Sequence, residues 1–232
     1  MELPRPTFAQ FRTMFDRRWK QGEHVFISSQ TGGGKTELML KLLEISPGLH
    51  YDVLFCTKPR DPIFRTPQAR QYRKIPYWAK REKHDKRVML SPLNFNSSGE
   101  TRVNQAGVFR DALDQIYFDG GWTVGIDETA WLAESLGLAR PIADQHHMGR
   151  ALGITLVTAT QRPKRLPVIV PQSATYAFIG KTMRRDDQNT LAELGGDTRA
   201  TRAAIESLTG RHDFLFVDTL GREPLQIVDT RA

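Results

Sequence analysis

Three glycines followed by a lysine and a threonine, in Gln30-Thr-Gly-Gly-Gly-Lys-Thr36, are suited to holding a chain of phosphates. Gly32, Gly33 and Gly34 let the backbone turn its N–H groups inward around an anion. Lys35 is placed to reach the β- and γ-phosphates of a nucleoside triphosphate, and Thr36 to put its hydroxyl on Mg²⁺. A second stretch, Trp122-Thr-Val-Gly-Ile-Asp-Glu128, ends an apolar run in two adjacent acids. Asp127 suits Mg²⁺, largely through water because that ion keeps much of its hydration shell. Glu128 suits a base that orients and deprotonates an attacking water. A third stretch, Gly153 to Thr160, ends in Gln161-Arg-Pro163. Gln161 is placed to touch the terminal phosphate and the water, and so to report the state of the nucleotide.

These residues are useful only if the right elements carry them. His24 to Ser29 is an apolar run that predicts a buried parallel strand. After the glycines, Leu38, Met39, Leu40, Leu42 and Leu43 recur at helical spacing. Strand, glycine loop and helix form the context in which the P-loop pattern G-x-x-x-x-G-K-[ST] carries weight. The expected phosphate contacts are therefore Ser29, Gln30, Thr31, Gly32, Gly33, Gly34, Lys35, Thr36 and Glu37, with the helix N-terminus adding its dipole. Ser29 stands where the pattern asks for glycine, so the first turn of the loop is expected to differ. A strand tip followed by an acidic helix cap would also account for Asp127 and Glu128, but it leaves Lys35 without a role.

The rest of the chain predicts further α/β alternation. Tyr51 to Thr57, Arg87 to Ser91 and Thr175 to Lys181 read as strands. Val103 to Phe118, Ala130 to Leu138, Ala139 to Leu152, Arg184 to Leu194 and Thr198 to Leu208 read as helices. Ser46-Pro-Gly48 reads as a stop, Asn94 to Gly99 as a turn-rich link, and Val168 to Ser173 as a short link. His212 to Asp218 and Pro224 to Asp229 read as a closing hairpin. In residues 1–22, Phe8, Phe11, Phe15 and Trp19 share one helical face, expected to pack on the sheet edge, with a subunit contact as the other reading. His146 and His147 are neighbours on a helix and point apart, so they do not read as a metal pair.

At 232 residues the chain fits one domain, 1–232, with a basic insertion at 59–86. The single cysteine, Cys56, sits in an apolar run and reads as a packing residue in a reducing compartment. No run of 18 apolar residues is present and the first residues lack a signal-peptide core, so a soluble, cytoplasmic chain is expected. From Lys58 to Arg87 there are 11 Lys and Arg against three acids, an excess of +8 in a chain of net charge +7. A polyanionic partner is the natural expectation for that segment. Aromatics are interleaved with the charges, which suits nucleic acid, with Arg70, Arg73, Lys74, Lys80 and Arg81 as the candidate DNA contacts. The other reading is a solvated insertion whose aromatics pack on the body.

With Thr31-Gly-Gly-Gly-Lys-Thr36, Ile126-Asp-Glu128 and Ala159-Thr-Gln-Arg-Pro163 in place, the chain resembles the FtsK/HerA superfamily of DNA-pumping ATPases over roughly residues 23–220. The resemblance implies a RecA-like P-loop fold: a mostly parallel central sheet flanked by helices, with a C-terminal antiparallel hairpin. It implies ATP and Mg²⁺ as cofactors, double-stranded DNA as the partner, and a homo-oligomeric ring, expected to be a hexamer. It also implies an arginine offered to a neighbour's ATP. Arg150 occupies that place, with Arg162, Arg184 and Arg185 as rivals. Septal translocases and conjugative coupling proteins look like larger chains with membrane spans, so the nearest kind is the genome-packaging ATPase of membrane-containing DNA viruses. A capsid vertex or membrane protein would then be the docking site, and host cytoplasm or the virion the location. Two rivals are a P-loop nucleotide kinase, which needs no water-activating glutamate, and a filamentous-phage-type assembly ATPase acting on protein.

Overall fold

The computed structural model describes residues 3–47, 51–58 and 65–231. Its centre is one sheet of nine strands: β1 (His24–Ser28), β2 (Tyr51–Phe55), β3 (Arg73–Ile75), β4 (Arg87–Leu90), β5 (Trp122–Ile126), β6 (Thr155–Thr160), β7 (Ala174–Gly180), β8 (Asp213–Asp218) and β9 (Gln226–Asp229). The order across the sheet is β3-β4-β2-β5-β6-β1-β7-β8-β9. Every pairing from β3 to β7 is parallel, whereas β8 and β9 close the sheet as an antiparallel hairpin. This is the mostly parallel, RecA-like arrangement with a terminal hairpin.

Helices cover both faces, which is why β1, β5, β6 and β7 are buried along their whole length. One face packs on α3 (Ser98–Asp119) and α4 (Ala139–Leu152), where Phe55 stacks on Phe109 with ring centres 4.8 Å apart. The other packs on α1 (Phe8–Arg18) and α2 (Lys35–Leu43). α1 starts with a capping box between Thr7 and Gln10 and lays Phe11 and Phe15 edge-on against Phe178 and Phe216. It therefore covers one face at the β7-β8-β9 edge of the sheet, as expected, and its N-cap Thr7 bridges to Asp229 of the outermost strand β9. Three short helices follow: α5 (Ile169–Gln172), α6 (Arg185–Ala192) and α7 (Thr198–Glu206).

Several expectations change in detail. α3 begins at Ser98, five residues before the expected start, because the Ser97 hydroxyl accepts from the Glu100 N–H and caps it. The short helix expected over 130–138 is present in π form, Trp131–Ser135, and ends near Gly137 at φ +66°. The link at 168–173 holds the single turn α5. The basic segment adds β3 as an edge strand beside β4. Within it Tyr72, Ile75 and Trp78 are buried in the body. Gly48 of the expected stop and residues 59–64 of the basic segment, including Phe64, lie outside the described residues. Among the described residues no helix is long and apolar enough to cross a membrane.

Candidate nucleotide site

In a parallel sheet, ligands gather beyond the carboxyl ends of the strands. The strands there run β2, β5, β6, β1. Their tips deliver in the same order Lys58, then Asp127 and Glu128, then Gln161, then the glycine loop. The loop is hung from its neighbours: Ser29 N–H donates to the Thr160 carbonyl and Gln30 N–H to the Lys181 carbonyl. Gly32 and Gly34 take φ of +72° and +84°, which L side chains rarely adopt. Gly34 leads directly into α2. The cleft enclosed is about 300 Å³.

The residues expected to work together do meet. The Thr36 hydroxyl donates to Asp127 Oδ1 at 2.9 Å. Burial pushes the Asp127 carboxyl up to about 6, against the pull of the Thr36 hydrogen bond, and Glu128 beside it adds to the rise. A buried carboxylate and a hydroxyl side by side are hard oxygen donors of the kind Mg²⁺ takes. Among the described residues no cluster of three or more His, Cys, Asp or Glu could hold a metal. A phosphate-bound Mg²⁺ does not need one.

Lys35 is buried and donates to the carbonyls of Ser29 and Gln30, 2.9 Å each. Burial lowers its pKa, with Asp127 and Glu128 opposing the shift. Gln161 accepts from the Thr31 hydroxyl at 2.6 Å, and its amide nitrogen lies 3.5 Å from Glu128 Oε1. Thr31, Gln161, Glu128 and Lys58 thus form a chain of polar contacts across the strand tips, closed by an ion pair between Lys58 and Glu128.

Ser29 is accommodated by two glycines. It is 2 % exposed. Its hydroxyl points into the space that a Cβ would take at Gly33 (2.1 Å) and at Gly180 on β7 (2.5 Å). The pattern's missing glycine is thus matched by one 151 positions later.

Three residues at the cleft were not singled out from sequence. Lys58 stood in a charge run, where nothing marked it from its neighbours. Arg211 donates to the Gly32 carbonyl at 2.6 Å. His212 is buried against Gly34, and its ring nitrogens have no hydrogen-bond partner among the described residues. Burial lowers its pKa. No sequence signal ties the last two to the loop, because they arrive from the turn before β8.

The other expected residues lie elsewhere. Arg150 is exposed in the last turn of α4, and its backbone packs on Gly22 just ahead of β1. β6 starts at Thr155 and runs from there toward Gln161, so Arg150 is at the opposite end of the sheet from its own cleft, about 20 Å away. Arg162 and Arg184 border a shallow cavity that shares Thr31 and Gln161 with the cleft. Arg185 lines the next cavity along. In the basic segment, Arg73 is tied to Glu82 and Asp85. The Arg81 guanidinium sits over the rings of Trp122, Trp78 and Tyr51 at 5.0, 5.5 and 5.7 Å. Arg70, Lys74 and Lys80 are exposed. His146 bonds Ser173 and packs edge-on against His24.

No protein-family model matches the chain, and no curated protein matches it by sequence. Solved structures do match. The genome packaging NTPase B204 of Sulfolobus turreted icosahedral virus 2, in complex with sulfate, is similar at a TM-score of 0.65 and 14% identity over 91% of this chain and 98% of that one. The same protein with AMPPCP gives 0.63 and 13%, over 90% and 97%. The cytoplasmic domain of the type VII secretion ATPase EccC of Thermomonospora curvata gives 0.59 and 17%, over 91% of this chain and 25% of that one. What these proteins share with the chain is the fold, a RecA-like P-loop arrangement with a mostly parallel sheet between helices.

Proposed function

We propose that the chain is an ATPase of the viral genome-packaging kind, which hydrolyses ATP and drives double-stranded DNA through a homo-oligomeric ring of six subunits. The observation that carries this is the convergence of Lys35, Thr36, Asp127, Glu128 and Gln161, from two adjacent strand tips and one helix start, on a single cleft. The similarity to B204, solved with AMPPCP and with ATP-gammaS, supports a nucleotide there.

The geometry supports a role for each residue. The N–H groups of Gly32, Gly33 and Gly34 and the start of α2 bind the phosphates. Lys35 leaves the Ser29 and Gln30 carbonyls for the phosphate oxygens, exchanging neutral acceptors for charged ones. Thr36 and Asp127 would hold Mg²⁺, which supplies neutralisation of the phosphate charge. Glu128 accepts the proton of the attacking water, and Gln161 orients that water. A cleft built around a water-activating acid favours hydrolysis over transfer to an acceptor, as a kinase would perform. Arg150 cannot serve its own cleft, so in this reading it serves a neighbour's. Arg70, Lys74 and Lys80 are the segment's exposed DNA contacts, and a capsid vertex or membrane protein is the docking site.

Initial ATPase rates with and without duplex DNA test this reading. Wild type should turn over without any acceptor and respond to DNA. Lys35→Ala should lose ATP binding, and Glu128→Gln should bind ATP without hydrolysing it. Turnover retained by Glu128→Gln would remove the base from the scheme. DNA-blind turnover would point to protein as the cargo.

A further inference from the structure

Across the sheet the strands run β5, β6, β1, β7, β8. The tips of β5 and β6 carry Asp127, Glu128 and Gln161, the groups suited to the terminal phosphate and its water. His212 lines the same cleft but comes from the turn before β8, on the other side of β1. A nucleotide with its γ-phosphate at Glu128 and its phosphates over the glycine loop therefore sends its sugar toward His212.

That turn is seated on the loop itself. Arg211 Nη2 lies 2.7 Å from where a Cβ would stand on Gly32, and His212 Nδ1 lies 2.6 Å from the same position on Gly34. Arg211 Nε also donates to the Gly32 carbonyl. Behind the turn, the Thr230 N–H and hydroxyl both donate to the His212 carbonyl, 3.2 Å each. The residue is thus fixed from two sides. Yet at 8% exposure neither ring nitrogen has a hydrogen-bond partner among the described residues. A buried polar group left without a partner calls for a reason. Burial lowers the pKa of the ring, so it is uncharged at neutral pH. It then offers one N–H and one lone pair. A sugar hydroxyl matches that pair, because it too both donates and accepts. The phosphates are already served by the loop and Lys35.

We propose that His212 is a specificity-determining residue: its ring nitrogens hydrogen-bond the sugar hydroxyls of the bound nucleotide. The turn before β8 then holds the nucleoside half while the glycine loop holds the phosphates. The inference rests on the reading of the cleft as a nucleoside-triphosphate site. It deepens that reading by naming what recognises the part of ATP that the loop leaves unread.

The test measures dissociation constants by calorimetry for wild type, His212→Phe and His212→Gln, after thermal melting has shown each variant folded. The probes are ATP, dideoxy-ATP, which lacks both sugar hydroxyls, and inorganic tripolyphosphate, each with Mg²⁺. Wild type should bind ATP about three- to tenfold more tightly than dideoxy-ATP, the worth of one net hydrogen bond. His212→Phe keeps a flat ring and loses both nitrogens. It should weaken ATP by that factor, erase the preference and leave tripolyphosphate unchanged. His212→Gln, whose amide donates and accepts, should keep part of the preference. A wild type indifferent to the sugar hydroxyls overturns the proposal, as does a His212→Phe that still prefers ATP. Equal loss of ATP and tripolyphosphate also overturns it, and makes the ring a brace for the loop. A wild type that binds neither ATP nor tripolyphosphate instead brings down the reading of the cleft on which the inference stands.

Discussion

Ser29 and Gly180 should be coupled across the floor of the loop, and Gly180→Ala is the perturbation that shows it. Gly180 ends β7 and does not have a left-handed φ, so its backbone accepts alanine. Its surroundings do not. The added Cβ would lie 2.5 Å from Ser29 Oγ, 2.7 Å from Ser29 Cβ and 3.1 Å from a ring carbon of Phe214. Two of these are below any real contact, and the atoms they meet belong to buried side chains. Overpacking of this kind costs about 1–3 kcal/mol. For a chain of this length, about 2 kcal/mol lowers Tm by about 4–8 °C. Ser29→Gly removes both colliding atoms and restores the pattern's glycine. Alone it should cost about 0.5–1 kcal/mol through backbone entropy. The double variant Ser29→Gly/Gly180→Ala should recover most of the alanine penalty, giving a coupling of about 1–2 kcal/mol in a double-mutant cycle. Urea unfolding of the four proteins measures it. Additive single effects, within about 0.5 kcal/mol, would refute the reasoning, as would a neutral Gly180→Ala.

Burial also raises the Asp52 carboxyl to about 6, against its Ser46 hydrogen bond and Arg87. Between about pH 4 and 6 the folded chain keeps a proton that the unfolded chain has lost. Stability should therefore fall as pH rises through that window, by up to about 3 kcal/mol for this group. Asp127 contributes in the same window. Asp52→Asn should accordingly remove about half of the slope in urea midpoint against pH, and an unchanged slope would acquit Asp52. Mixing Arg150→Ala with Lys35→Ala subunits should restore part of the turnover that each variant lacks alone. No restoration would pass the trans role to Arg162, Arg184 or Arg185. Neutralising Arg70, Lys74 and Lys80 together should weaken DNA binding and flatten its salt dependence by about three units of slope at most. Equal affinity would make those residues solvated surface.

The legible parts of the molecule were the local ones. The first strand, glycine loop and α2 are contiguous in sequence, so period and spacing disclosed them together. The acids at the tip of β5 and Gln161 at the tip of β6 could be placed because a polar residue ending an apolar run has one plausible address. β3 was hidden because Arg73-Lys74-Ile75 has a single buried side chain and no alternation. The early start of α3 did carry a signal, Ser97 with Glu100 three residues on, which the glycine between them obscured. Lys58, Arg211 and His212 reach the cleft from strands far away in sequence, and nothing local announces which tips become neighbours. The same holds for Gly180, whose significance exists only opposite Ser29.

The nest of rings around Arg81 makes the protein its own optical instrument. Of four tryptophans in the chain, Trp78 sits in the basic segment and Trp122 opens β5, with ring centres 5.3 Å apart and one guanidinium over both. A cargo that lifts the segment off the sheet would part the two indoles and withdraw the cation from them. Emission from the unlabelled chain would then shift while the cleft-facing strands stayed in register, so segment movement could be timed against turnover in a single stopped-flow trace.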